Sequence, residues 1–122
     1  MNRYLTIFLL FLLLGCHKNQ KGNSLENIQS GSHYGEKQIK ATVRQLIDSN
    51  KSDQALKLID TLISHNKQNG YLYFERGFVE GYKFHHGEAI KDYKIAESLH
   101  YNKTECQFMI QISQKAINEK NK

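Results

Sequence analysis

The sequence predicts an all-α chain: a short solenoid of helical hairpins, about two repeats followed by a C-terminal capping helix. Three observations predict it. Ile39, Val43 and Leu46 recur at three- and four-residue spacing, the period of a helix, and similar stripes follow downstream. Gly77, Ala89, Tyr93 and Ala96 are spaced as two antiparallel helices in close approach require, since one side must supply Gly or Ala and the other a ring that fills the gap. Ala55 and Ala89 lie one full repeat apart, with the apolar pattern kept between them, and that spacing is typical of stacked hairpins.

Taken in order, the repeats cover about 36–69 and 70–103, with a solvating helix at 104–118. The first helix spans 37–49. Asn50-Lys51-Ser52 forms a turn, and Ser52 or Asp53 caps the next helix, 53–65, by accepting a backbone N–H bond. That helix carries Ala55, Leu56, Ile59, Leu62 and Ile63 on its apolar face. Asn66 to Asn69 lead into a strongly aromatic helix at 70–83, with Leu72, Tyr73, Gly77 and Val79 facing inward. The helix at 88–99 exposes Glu88, Asp92, Glu97, Lys91 and Lys94. Glu88 and Lys91 attract each other, and Glu88 and Asp92 repel. The last helix has Cys106, Ile110, Ser113 and Ile117 on one stripe and Phe108 and Ile112 on another. Gln107, Gln111, Gln114 and Lys115 give it the polar outer face that a terminal repeat needs.

The stretch 69–102 resembles a tetratricopeptide (TPR) unit. Tyr73 and Gly77 stand at the family's large and small positions on its first helix. Ala89, Tyr93 and Ala96 stand at the small, aromatic and small positions on its second. In the first copy Ala55 matches Ala89, while Val43 replaces the glycine, Ile59 the ring and Leu62 the second small residue. The departures are Arg76 for leucine, Glu80 for tyrosine, Phe84-His85-His86-Gly87 for a Gly-Asp or Gly-Asn turn, and Tyr101 for the closing proline. The chain holds no proline at all.

Tyr71, Phe74, Phe78 and Tyr82 form a second stripe on the aromatic helix. The resemblance places such a stripe on the concave groove, where ligands bind. Two arrangements fit it: a groove with exposed rings, or rings buried against neighbouring helices. Exposed rings would suit a peptide or helix, because rigid aromatics supply contact area at small entropic loss. By position Lys40 and Arg44 flank the stripe, with Lys37 just before them, and would steer an acidic segment. The asparagines of the family's carboxylate clamp are absent.

Residues 1–15 read as an export leader. Asn2 and Arg3 precede an apolar run, Tyr4 to Leu14, that falls short of a membrane span of about 20 residues. The run ends in Leu13-Leu14-Gly15-Cys16, which resembles a bacterial lipobox, with Leu14 larger than usual at its place. The resemblance implies a diacylglyceryl group on the Cys16 thiol and cleavage before it. Multiple acyl chains, at about 0.8 kcal/mol per buried CH₂, would hold the chain firmly. Residues 16–35 form the lipidated cysteine and a polar tether, with few large apolar side chains to order it. A coil of that length separates its ends by roughly 25 Å. The folded part is 36–122. No aspartate follows Cys16, which in Gram-negative systems favours the outer membrane, facing the periplasm.

The chemistry-bearing residues are sparse. Cys106 is the one cysteine left beside an acylated Cys16, which excludes an intramolecular disulfide. The six histidines include no helical His-x-x-x-His pair, and there is no Cys-x-x-Cys. Phosphate loops, paired acid–base carboxylates and triad patterns are missing. The net charge of +5 is modest, which argues against nucleic acid as a partner. The expectation is therefore a non-catalytic adaptor of the bacterial cell envelope, without metal or cofactor, binding a protein partner. The alternatives are an accessory subunit of a secretion or assembly complex, and a lipoprotein that neutralises a toxin.

Overall fold

In a computed structural model, residues 35–122 are described, and they form five helices packed against one another with no strand among them. They are α1 (Glu36–Asp48), α2 (Ser52–His65), α3 (Gly70–Tyr82), α4 (His86–Ser98) and α5 (Lys103–Lys120). The leader, Cys16 and most of the tether lie outside the described residues. Helices α1 and α3 start one repeat period apart, and α2 and α4 start apart by the same interval. The chain is thus a short helical-hairpin solenoid: hairpin α1/α2, hairpin α3/α4, then α5. None of the described helices is long and apolar enough to cross a membrane.

The turns repeat as faithfully as the helices. Within each hairpin the chain leaves the first helix through a left-handed residue, Asn50 (φ 57°) or Phe84 (φ 63°), at equivalent places in the two repeats. At the first turn Asn50 N donates to Ile47 O and Lys51 N to Leu46 O. At the second, Phe84 N donates to Gly81 O and His85 N to Glu80 O. This paired pattern closes off the helix carbonyls that would otherwise lack partners. Between hairpins the next helix is capped by asparagine: the Asn69 side chain accepts from Tyr71 N, and that of Asn102 from Glu105 N. The cap expected from Ser52 or Asp53 does not form. Lys51 takes the N-cap place without a side-chain bond, and Asp53 instead meets Lys83. Helix α4 begins two residues earlier than expected, because His86 and Gly87 belong to its first turn.

Two clusters make the core. Ile39, Val43, Leu46 and Ile47 of α1 pack on Ala55, Leu58, Ile59 and Ile63 of α2 and on Tyr71, Leu72 and Val79 of α3. Phe74 packs with Ala89, Tyr93, Ala96 and Cys106 in the second cluster. Half-buried Tyr73 and Tyr101 touch both clusters. Helix α3 is therefore the shared wall. Its closest approach is at Gly77, where a Cβ would lie 2.8 Å from Tyr93 Cε1 and 3.1 Å from Ala89 O. Only a hydrogen fits there, and the ring of Tyr93 fills the notch.

Gly77→Ala should destabilise the fold by about 1–3 kcal/mol, the usual penalty for forcing a methyl into a packed interface. Gly87→Ala, with nothing within 4 Å of the added carbon, should stabilise by about 0.5–1 kcal/mol through helix propensity. Urea denaturation of both variants reads the difference in sign.

Candidate functional site

The first helices of the two hairpins run side by side in the same direction. The Tyr71 hydroxyl donates to Glu36 O at 2.8 Å, start to start, and Arg44 Nη1 donates to Glu75 Oε2 at 3.0 Å further along. This layer carries most of the residues expected to bind a partner. Of that stripe, Tyr71 and Phe74 are each 4% exposed. Tyr71 stacks at a tilt on Tyr101 (5.6 Å between centroids), and Phe74 on Tyr93 and Tyr101 (5.4 and 5.0 Å). Both rings are core, a correction to their expected place on a groove. The physical reason is Tyr101, which stands where the resemblance has proline and supplies the ring that covers them.

Arg44 is the second correction. Rather than standing free to steer an acidic segment, its guanidinium lies 3.4 Å over the Phe78 ring and is bonded to Glu75, which is 1% exposed. A planar guanidinium satisfies both demands at once, stacking on the ring and bonding a carboxylate in its plane. Phe78 is consequently half-covered. Lys37 and Lys40 remain exposed, and Tyr82 is 52% exposed.

The last helix continues the layer. Phe108 and Ile112 sit one repeat period after Phe74 and Phe78, and they are 60% and 45% exposed. What Tyr101 and Arg44 do for the rings of α3, nothing among the described residues does for these two side chains of α5. Met109 and Ile110, their neighbours, pack inward on the second cluster.

The remaining charges are structural. Arg76 grips Asp92 of α4 with two nitrogens (Nε to Oδ2 2.9 Å, Nη2 to Oδ1 2.7 Å) and reaches Asp60 of α2 with Nη1 at 2.9 Å. Asp92 is buried rather than on the outer surface beside Glu88, again contrary to expectation. Burial pushes its carboxyl above the usual range, opposed by the Arg76 fork. Glu88 does pair with Lys91, at 2.8 Å. A leucine at position 76 could not bind a buried aspartate, so the departure at Arg76 and the burial of Asp92 explain each other. Glu75 is an acid set among Leu72, Phe74, Phe78 and Val79, and Arg44 on the preceding first helix supplies the cation that its burial demands.

Three groups with reactive potential are held in their neutral forms. Burial pushes the Cys106 thiol up to about 11 and the Tyr101 phenol to about 12, and Tyr71 rises further, again through burial first. The Cys106 thiol donates to Tyr101 O, at 3.8 Å. Among the described residues no group of three or more His, Cys, Asp or Glu is placed to hold a metal ion. Neither models of known protein families, nor curated proteins, nor solved structures give a match to this chain.

Removing Arg44 leaves a buried carboxylate without its partner and uncovers Phe78. Arg44→Ala should lower stability by about 2 kcal/mol, whereas Lys40→Ala, at an exposed position, should stay within about 0.5 kcal/mol. Denaturant midpoints separate the two. The native Cys106 thiol should resist maleimide at neutral pH and react once urea unfolds the chain. Because its folded pKa exceeds the ordinary 9.0, the contribution of this thiol to stability falls as pH rises from about 9 to about 11.

Proposed function

We propose that this chain is a non-catalytic adaptor, a TPR-like lipoprotein of the bacterial cell envelope, which holds a partner protein against its first-helix layer. The observation that carries this reading is the exposure of Phe108 and Ile112 at the positions where the preceding repeat buries Phe74 and half-covers Phe78. Exposed apolar side chains in consecutive turns of one helix are a common signature of an association surface. Phe78 and Tyr82 lie in the same layer, and Lys40 offers a cation at its far side. The partner that suits this surface is an amphipathic helix, laid down as the next element of the stack.

The same observation favours the accessory-subunit reading, in which a larger envelope assembly supplies that next helix. Both readings share the anchor at Cys16. In both, the tether lets the domain search near the membrane while the apolar edge selects the partner.

Photo-crosslinking in living cells tests the surface. A photo-reactive residue at Phe108 or Phe78 should give one distinct adduct, and one at Lys94 on the opposite helix should give none. Adducts from all three, or from none, would remove the residue-level support. Cys16→Ser should shift the chain out of the membrane fraction while leaving its helix content unchanged.

A further inference from the structure

Phe84 combines two unfavourable properties. Its backbone is left-handed, with φ 63°, and its side chain is 82% exposed. A bulky residue crowds its own backbone in that conformation, and a phenyl ring gains nothing in water. The first hairpin provides the internal comparison. Asn50 holds the equivalent place there, with φ 57° and the same pair of backbone hydrogen bonds, and asparagine is a residue that this geometry accepts well. The fold needs a left-handed residue at position 84, but it does not need a ring. The ring makes one edge contact, with His86 at 6.2 Å between centroids. Tyr82, two positions before, is also exposed.

Two side-chain contacts lie at this tip. Lys83 pairs with Asp53, and His85 Nδ1 lies 2.7 Å from Glu80 Oε2. Two exposed aromatic side chains, two residues apart at one end of the domain, suit the headgroup zone of a phospholipid bilayer, where amphipathic and aromatic side chains partition. The geometry of the chain allows it to arrive there. The tether joins at Gly35, at the start of α1. Helices α1 and α3 run in the same direction, so the tip lies at the opposite end of a 13-residue helix, about 20 Å away. The roughly 25 Å reach expected from the sequence for the segment 16–35 would cover that distance. The magnitudes fit as well. Burying one phenylalanine favours the bound state about tenfold to hundredfold. That is too little to recruit a free protein, but it is enough to orient a domain held at about millimolar effective concentration.

We propose that Phe84, with Tyr82, forms a membrane-dipping tip that orients the domain on the bilayer holding its anchor. The inference rests on the lipid-anchor reading above, and one experiment separates the two. The chain contains no tryptophan, so Phe84→Trp and, as a control on α4, Lys94→Trp each give a single emitter. The full chain carrying its anchor is reconstituted into phosphatidylcholine vesicles containing acyl-brominated lipid. Emission from F84W should be quenched at least about twofold more than that from K94W, and raised salt should not change it. In a Tyr82→Trp background, adding Phe84→Asn should abolish the quenching while raising the folding constant about fivefold, which separates lost insertion from lost fold. Equal quenching in F84W and K94W on vesicle-bound protein overturns the tip and leaves the anchor standing. Failure of the chain to stay with the vesicles overturns both. Capture of a single protein by a photo-reactive residue at position 84, without quenching in vesicles, assigns the tip to a protein pocket and also overturns the proposal.

Discussion

The contact between Gly77 and the Tyr93 ring fixes the distance at which α3 and α4 pack, and the rest of the domain is arranged around that distance. With no side chain at 77, the backbone of α3 lies against Tyr93 and the carbonyl of Ala89. Ala89 and Ala96 keep the facing surface of α4 thin enough to accept it. Once that hairpin is set, α3 turns its other side to α1 and α2, and Arg76 reaches across both flanking helices to Asp60 and Asp92. One arginine thereby ties the second helices of both hairpins to α3. This is a charged substitute for the apolar contact that a leucine would make. Breaking it would leave a buried aspartate uncompensated, a larger loss than the pair itself contributes.

The fold is legible in the sequence because its signals are local and periodic. Small residues at 77, 89 and 96, a ring at 93 and the recurrence from Ala55 to Ala89 all encode close helix packing, and each side chain has one sensible place for it. The candidate site is less legible, because the distinction between a groove and a core depends on what lies opposite. Tyr71 and Phe74 carry the same helical spacing as Phe78 and Tyr82. Tyr101, beyond the next helix in the chain, decides that the first two are buried. Arg44 and Asp92 are misread as surface residues for the same reason. A charge on a helix face reads as solvated until its partner is known, and Glu75 and Arg76 meet Arg44 and Asp92 only once the helices are packed. The turn at Phe84 departs visibly from the usual residues, but the sequence does not display the sign of φ.

The exposed apolar edge arises from the solenoid's own repetition. Each hairpin leaves a side that the next one covers, and α5 is the last helix described, so Phe108 and Ile112 keep the exposure that their counterparts lose. Arg44, Arg76 and Lys83, by contrast, are paired within the domain, so under the proposed adaptor function selectivity would fall chiefly to shape and apolar area. This arrangement fits recognition by helix addition better than capture of a charged tail.

The placement of Glu36 has a mechanical consequence. Any pull delivered through residue 35 arrives at the first turn of α1, and the first long-range hydrogen bond it meets is that from Tyr71 to Glu36 O. The Arg44–Glu75 link stands behind it, two turns further on, and the α3/α4 hairpin behind that. Load is taken by these links one after another, as in a zipper opened from its end, rather than shared among them. A pull from that end would therefore load α1 first, with its buried Ile39, Val43, Leu46 and Ile47 as the next resistance, and reach the glycine-notched hairpin last.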